Sequence, residues 1–332
     1  MGWREHWVKW VVLSLGLLIS FEQSVFAMHP AACMSSDFSS VCTVEEDILR
    51  HKLYTISDHF YHLGTGESNL YLASQVLSTP HSITLLANKM EEWEKNEKYM
   101  GECAAQSGID GSRGGYSGGN RTPPGVCEFK SGEISTEGFW STKGIAHGYI
   151  EVEATMPVGK ESVGMWPAIW MLPKDSCHIP WPMGGEIDIA ELKGNQSRQA
   201  QATLHFNEEP YTSRYQYLPN NPGVYTLSDP ESDYASPHKY GLEWDFRPEH
   251  HTLSWWYDNK KWLTQDLDNS FRIADKDQYV RLAMVFKKGS ECGYYLIINL
   301  ATGGDFGFTD ENTASEQEMK IYSIKVYNMM DK

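Results

Sequence analysis

Gly184-Gly185-Glu186-Ile187-Asp188-Ile189-Ala190-Glu191 sets three carboxylates within six residues of an otherwise apolar, β-branched run. The composition of the run reads as a strand, and in a strand successive side chains alternate between faces. Glu186 and Asp188 then share one face, while Ile187 and Ile189 point the other way into a core. Strict alternation would turn Glu191 inward with the isoleucines. An unpaired carboxylate there would cost several kcal/mol. A one-residue β-bulge near Ile189-Ala190 removes the conflict and returns Glu191 to the carboxylate face. Three acids crowded on one face raise one another's proton affinity, so at least one stays protonated near neutral pH. Taken alone, the trio is equally compatible with a solvated acidic strand or a metal site. For a metal, only His205 is an obvious further ligand.

Working outward, Met165-Trp166-Pro167-Ala168-Ile169-Trp170-Met171-Leu172 lies just upstream. Trp166 and Trp170 are four residues apart, so in a strand both face the same way, with the small Ala168 between them. Two indoles flanking a gap make a trough suited to the flat C–H face of a sugar ring. Further alternating runs follow at Gly148–Met156, Tyr240–Phe246, Leu253–Tyr257, Val280–Phe286, Tyr294–Leu300 and Ile321–Val326. Many short strands divided by turn residues, with little helix, predict an all-β sandwich. Residues 88–100 fit either a helix or a charged strand exit. Thr43 and Glu46 form a capping-box pattern ahead of Ile48 and Leu49, which predicts a short helix. Residues 101–131 hold eight glycines and read as one long loop.

The ends and the bulk composition bound the setting. Arg4 and Lys9 precede an apolar run at Val11–Ile19, and Val25-Phe26-Ala27 ends in a small residue, so 1–27 is expected to be a signal peptide. Residues 28–54 are then an N-terminal extension, and 55–332 one catalytic domain. The expected location is secreted or periplasmic. Six cysteines suit an exported chain, with Cys33–Cys42, Cys103–Cys127 and Cys177–Cys292 as the simplest of 15 pairings. The formal net charge is −16, and loss of residues 1–27 leaves it unchanged. Such a surface repels nucleic acid and anionic membranes, as well as sulfated polysaccharide, but not a neutral glycan. The expected partner is therefore a neutral polysaccharide, bound by a monomer.

Taken together, GEIDIAE and MWPAIWMLP resemble the family 16 glycoside hydrolases, in particular their laminarinase (endo-β-1,3-glucanase) branch. HGYIEVEATMP at 147–157, ATLHF at 202–206, HKYGLEWDF at 238–246, IINLATGGDF at 297–306 and MKIYSIKVYN at 319–328 extend the likeness in order, over roughly 133–328. It is faint at 55–90 and absent from 28–54. The resemblance implies a jelly-roll β-sandwich of two antiparallel sheets with a concave glycan cleft. It implies Glu186 as nucleophile, Glu191 as general acid/base, and Asp188 between them to hold and tune Glu186. Trp166, Trp170 and His205 are the implied substrate contacts, and Trp181 fits the family pattern. Many relatives bind calcium partly through an aspartate in the last strand. Tyr322 stands at that position, so no metal and no cofactor are expected. Mixed-linkage glucan or galactan hydrolysis, transglycosylation, and a non-catalytic glucan-recognition role remain as alternatives on the same scaffold.

Overall fold

The computed structural model describes residues 40–60, 62, 66–101, 127–211, 213, 220–268, 270–273 and 278–331. The expected signal peptide lies outside the described residues, as do most of the glycine-rich loop and the Cys33–Cys42 and Cys103–Cys127 pairings. Cys127 is itself disulfide-bonded.

In chain order the strands are β1 (Ser40–Asp47), β2 (Thr55–Ile56), β3 (Asn69–Tyr71), β4 (Val76–Ser78), β5 (Ile83–Lys89), β6 (Phe129–Ser131) and β7 (Glu133–Ser135). Next come β8 (His147–Thr155), β9 (Met165–Pro173), β10 (Glu186–Glu191), β11 (Gln199–His205), β12 (Gly223–Thr226), β13 (His238–Asp245) and β14 (Thr252–Tyr257). The last are β15 (Lys260–Asp266), β16 (Ser270–Ile273), β17 (Gln278–Arg281), β18 (Tyr294–Thr302) and β19 (Glu316–Asp331). Helices α1 (Ile48–His51) and α2 (Leu282–Cys292) interrupt them.

Two sheets form a jelly-roll β-sandwich. The ten-stranded sheet runs β15-β14-β13-β8-β19-β5-β6-β3, with β1 on β19 and β4 on β5. The seven-stranded sheet runs β12-β11-β10-β9-β18-β7-β2. Pairing is antiparallel except between β3 and β6. Alternation sorts each strand. Met165, Ile169 and Met171 of β9 and Ile187 of β10 face inward, against Ile150 and Val152 of β8 and Trp255 of β14. Their fellows on the opposite face line the outer side of the seven-stranded sheet, where the cleft lies.

Three local expectations change. Val280–Phe286 is strand only as far as Arg281, the end of β17, because α2 begins at Leu282. Its buried residues Leu282, Val285, Phe286 and Gly289 fall at helical spacing, and a short apolar run does not distinguish the two periods. Helix α1 is capped by Asp47, whose side chain accepts from the Arg50 amide at 3.0 Å, rather than by Thr43. The segment before it is β1, paired with β19. Ile48 and Leu49 join the main core, so the stretch expected to precede the sandwich contributes to it from Ser40 onward. Residues 92–100 take the helical alternative, with five of them in a π turn at Glu94–Lys98.

Cys177 and Cys292 are bridged across 115 residues, fastening the loop before β10 to the end of α2. A closure of that span restricts the unfolded chain strongly. Replacing both by serine is expected to lower the unfolding free energy by about 2–5 kcal/mol in urea titration.

Candidate active site

The bulge in β10 is present. Against β11 the register runs Glu186↔His205, Ile187↔Leu204, Asp188↔Thr203, then slips to Glu191↔Gln201. Against β9 it passes from Asp188↔Trp170 to Ala190↔Ile169 and Glu191↔Ala168. One extra residue in β10 is absorbed between Asp188 and Ala190. Ile187 and Ile189 remain buried, and Glu191 comes out on the face of Glu186 and Asp188. A bulge frees ladder groups, and here the carbonyl of Asp188 accepts from the indole Nε1 of Trp255 at 2.9 Å. That buried side chain belongs to β14 in the other sheet. Upstream, Gly185 enters the strand with φ 76°. A Cβ there would meet the Phe286 ring of α2 at 2.4 Å, so only glycine fits the turn.

Each acid has its own setting. Trp181 Nε1 donates to Glu186 Oε2 at 2.6 Å. Trp166 Nε1 donates to Glu191 Oε1 at 3.0 Å, and Thr203 Oγ1 donates to Oε2 at 3.2 Å. His205 Nε2 lies 3.3 Å from Asp188 Oδ2 and 3.7 Å from Glu186 Oε1, and its Nδ1 meets Ser213 Oγ at 3.0 Å. A protonated Glu186 can donate to Asp188.

Burial is the main influence on all three acids. It pushes Glu186 up to about 8, with the charges of Asp188 and Glu191 adding to the rise and His205 and the Trp181 N–H opposing it. Asp188 is held well above the usual carboxylate range by burial and by Glu191. Glu191 is raised by burial, against His205 and its three donors, Trp166, Gln201 and Thr203. Glu186 therefore holds a proton at neutral pH, and burial favours the protonated form of all three.

The sequence-derived residues converge. Glu186, Asp188, Glu191, Trp166, Trp170 and His205 all sit on the one face. Trp166 has one ring face stacked on Phe306 at 4.4 Å and 6°, so that face is taken and its N–H serves Glu191. Trp170 donates to Asn299 Oδ1 at 2.7 Å. Trp181, which fits the family pattern in sequence, bonds Glu186. Asn299 was missed, although a polar side chain in the apolar run of β18 was a readable signal. Glu186, Asp188 and His205 offer three donor atoms within 4.8 Å of one another. At Tyr322 the ring lies under the Lys320 ammonium at 5.4 Å.

Fold and site together define a jelly-roll sandwich with an acidic, tryptophan-lined cleft over a bulged strand. The sequence profile of the glycosyl hydrolases family 16 matches residues 116–289, and the chain belongs to that family. It is 32% identical over 179 residues to a glucan endo-1,3-β-glucosidase of Cryptopygus antarcticus, covering 54% of this chain and 57% of the relative. It is 26% identical over 294 residues to the endo-1,3-1,4-β-glycanase ExsH of Rhizobium meliloti, covering 83% of this chain and 51% of the relative. The chain thus spans about half the length of these relatives. The catalytic domain of an endo-1,3-β-glucanase (laminarinase) from Thermotoga petrophila has the same fold. Its TM-score is 0.60 at 23% identity, over 88% of this chain and 99% of that one.

Proposed function

We propose that this protein is an exported endo-β-1,3-glucanase that cleaves a neutral, laminarin-like glucan with retention, Glu186 acting as nucleophile and Glu191 as general acid/base. The observation that carries the reading is the β10 bulge, which puts Glu191 on the face of Glu186 and Asp188. A retaining glycosidase needs two carboxyls about 5–5.5 Å apart with unequal protonation. Glu191 protonates the leaving oxygen while Glu186 attacks the anomeric carbon. Glu191, now ionised, takes the proton of the water that releases the sugar. Asp188 shares a proton with Glu186 in the resting cleft and accepts it as the nucleophile ionises. His205 holds Asp188 from the neighbouring strand.

The formal net charge of −16 suits an uncharged substrate. Export is supported by the Cys177–Cys292 bridge, since disulfides persist in oxidising compartments. Among the described residues no helix is long and apolar enough to cross a membrane.

The test is incubation with laminarin, lichenan and agarose, followed by a reducing-sugar assay. Product from laminarin first is the expected result. Binding without product would assign the protein to glucan recognition instead. Faster release from lichenan would favour mixed-linkage glucan, a reading supported by the likeness to ExsH over 83% of the chain. The stereochemistry has its own check. NMR of the first product should show the β-anomer before mutarotation, and an initial α-anomer would rule out the two-step route.

A further inference from the structure

The segment between β2 and β3 carries only a faint likeness to the family, yet it places a side chain over the cleft floor. On the seven-stranded sheet Asp188 opposes Trp170, Trp170 opposes Ile297, and Asn299 opposes Glu133. These residues form a row on one face from β10 to β7, three strand spacings or about 14 Å long. His62 lies over the far end of the row. Its Nε2 meets Glu133 Oε2 at 2.6 Å, and Ser57 Oγ donates to the other oxygen of Glu133 at 2.6 Å. The imidazole packs edge-on to Trp170, with ring centroids 5.4 Å apart. A second chain of bonds holds Trp170: its N–H donates to Asn299, Asn299 Nδ2 donates to Tyr71 OH at 2.7 Å, and Tyr71 donates to Glu67 at 2.8 Å.

A purely structural His–Glu pair would tie the segment to β7 and end there. Two features go further. The ring is in contact with Trp170, and the side chain keeps 16% of its surface exposed. The two nitrogens of an imidazole diverge, so with Nε2 committed to Glu133, Nδ1 is turned away from that carboxylate. Burial favours a neutral ring. The charge of Glu133, with Glu67 and Glu186 beyond it, outweighs burial and pushes His62 up to about 9. Both ring nitrogens therefore carry protons at neutral pH.

We propose that His62 is a specificity-determining residue of the cleft. It fixes the plane of Trp170 and donates from Nδ1 to a hydroxyl of a glucose unit lying beyond the carboxylates. It thereby favours neutral glucan chains long enough to reach β7. The inference rests on the glucan reading above.

The test measures kcat and KM on laminari-oligosaccharides from the disaccharide to the hexasaccharide, for the wild type, His62→Phe and Glu133→Gln. His62→Phe keeps a ring against Trp170 and loses both donors. It should raise KM for the hexasaccharide about tenfold, the loss of one hydrogen bond to a sugar, with little change in kcat and none in KM for the disaccharide. In the wild type that KM should rise as pH passes about 9. In Glu133→Gln the rise should move to lower pH, because the charge holding the proton is gone. An unchanged hexasaccharide KM, or an equal change for every chain length, would overturn the proposal. If His62→Phe does not fold, the two pH profiles decide by themselves. If the wild type cleaves nothing, calorimetry with the hexasaccharide separates the readings. Tighter binding by the wild type than by His62→Phe keeps this inference and rejects the hydrolase, and equal or absent binding rejects both.

Discussion

Glu186→Gln is expected to lower laminarin turnover by about ten-thousandfold or more while the protein still binds the glucan. The amide keeps the size of the carboxyl and still accepts from Trp181, which donates at 2.6 Å, so the cleft keeps its shape. What it lacks is the anionic carboxylate oxygen that forms the glycosyl–enzyme bond. Laminarin turnover by reducing-sugar assay, with affinity by calorimetry, checks both halves, and wild-type rates in the variant would refute the nucleophile assignment. The same change is expected to raise thermal stability. Glu186 is pushed up from the ordinary 4.5 to about 8 on folding. The folded state therefore binds more protons than the unfolded one across that window. The stability tied to its protonated form is complete below about 4.5 and is lost as pH rises towards 8. A glutamine has nothing to ionise. The gain in Tm over the wild type should accordingly be larger at pH 8 than at pH 5, and a gain independent of pH would contradict the assigned shift.

Glu191→Ala should cost about a hundredfold to ten-thousandfold on laminarin, the usual range for loss of a general acid. The loss should be far smaller on an aryl β-glucoside whose leaving group needs no proton. Added azide should then restore turnover of that glucoside, with a β-glucosyl azide as product, because the space vacated beside Trp166, Gln201 and Thr203 admits a small anion in place of water. An equal loss on activated and unactivated substrates, with no azide adduct, would show that Glu191 does not supply the leaving-group proton. An α-glucosyl azide from Glu191→Ala would exchange the two roles, since azide would then be standing in for the missing nucleophile.

The acidic strand and its bulge were readable because one fact forced them: three acids and two isoleucines cannot satisfy a strict two-residue period. The Trp166 and Trp170 spacing was readable for the same reason. Long-range partners were not. Trp181 precedes Glu186 by five residues, and only the turn through Gly185 folds its N–H back onto that carboxylate. Phe306, 140 positions further along the chain, covers a face of Trp166, and alternation along one strand says nothing of that. His62 and Glu133 belong to different segments, brought together when β2 pairs with β7. The start of α2 shows the opposite failure, since its apolar residues suit both periods until Phe286 is seen against Gly185.

The bond from the Trp255 indole to the Asp188 carbonyl spans the two layers of the sandwich at the residue where the acidic strand changes step. Catalytic geometry is thereby slaved to the back of the molecule. Substitutions that let one layer slide on the other would disarm the protein while its circular dichroism still looked native. Such lesions would scatter over β14 and its neighbours, far from any sugar, and a screen for lost activity would find them as readily as changes in the cleft.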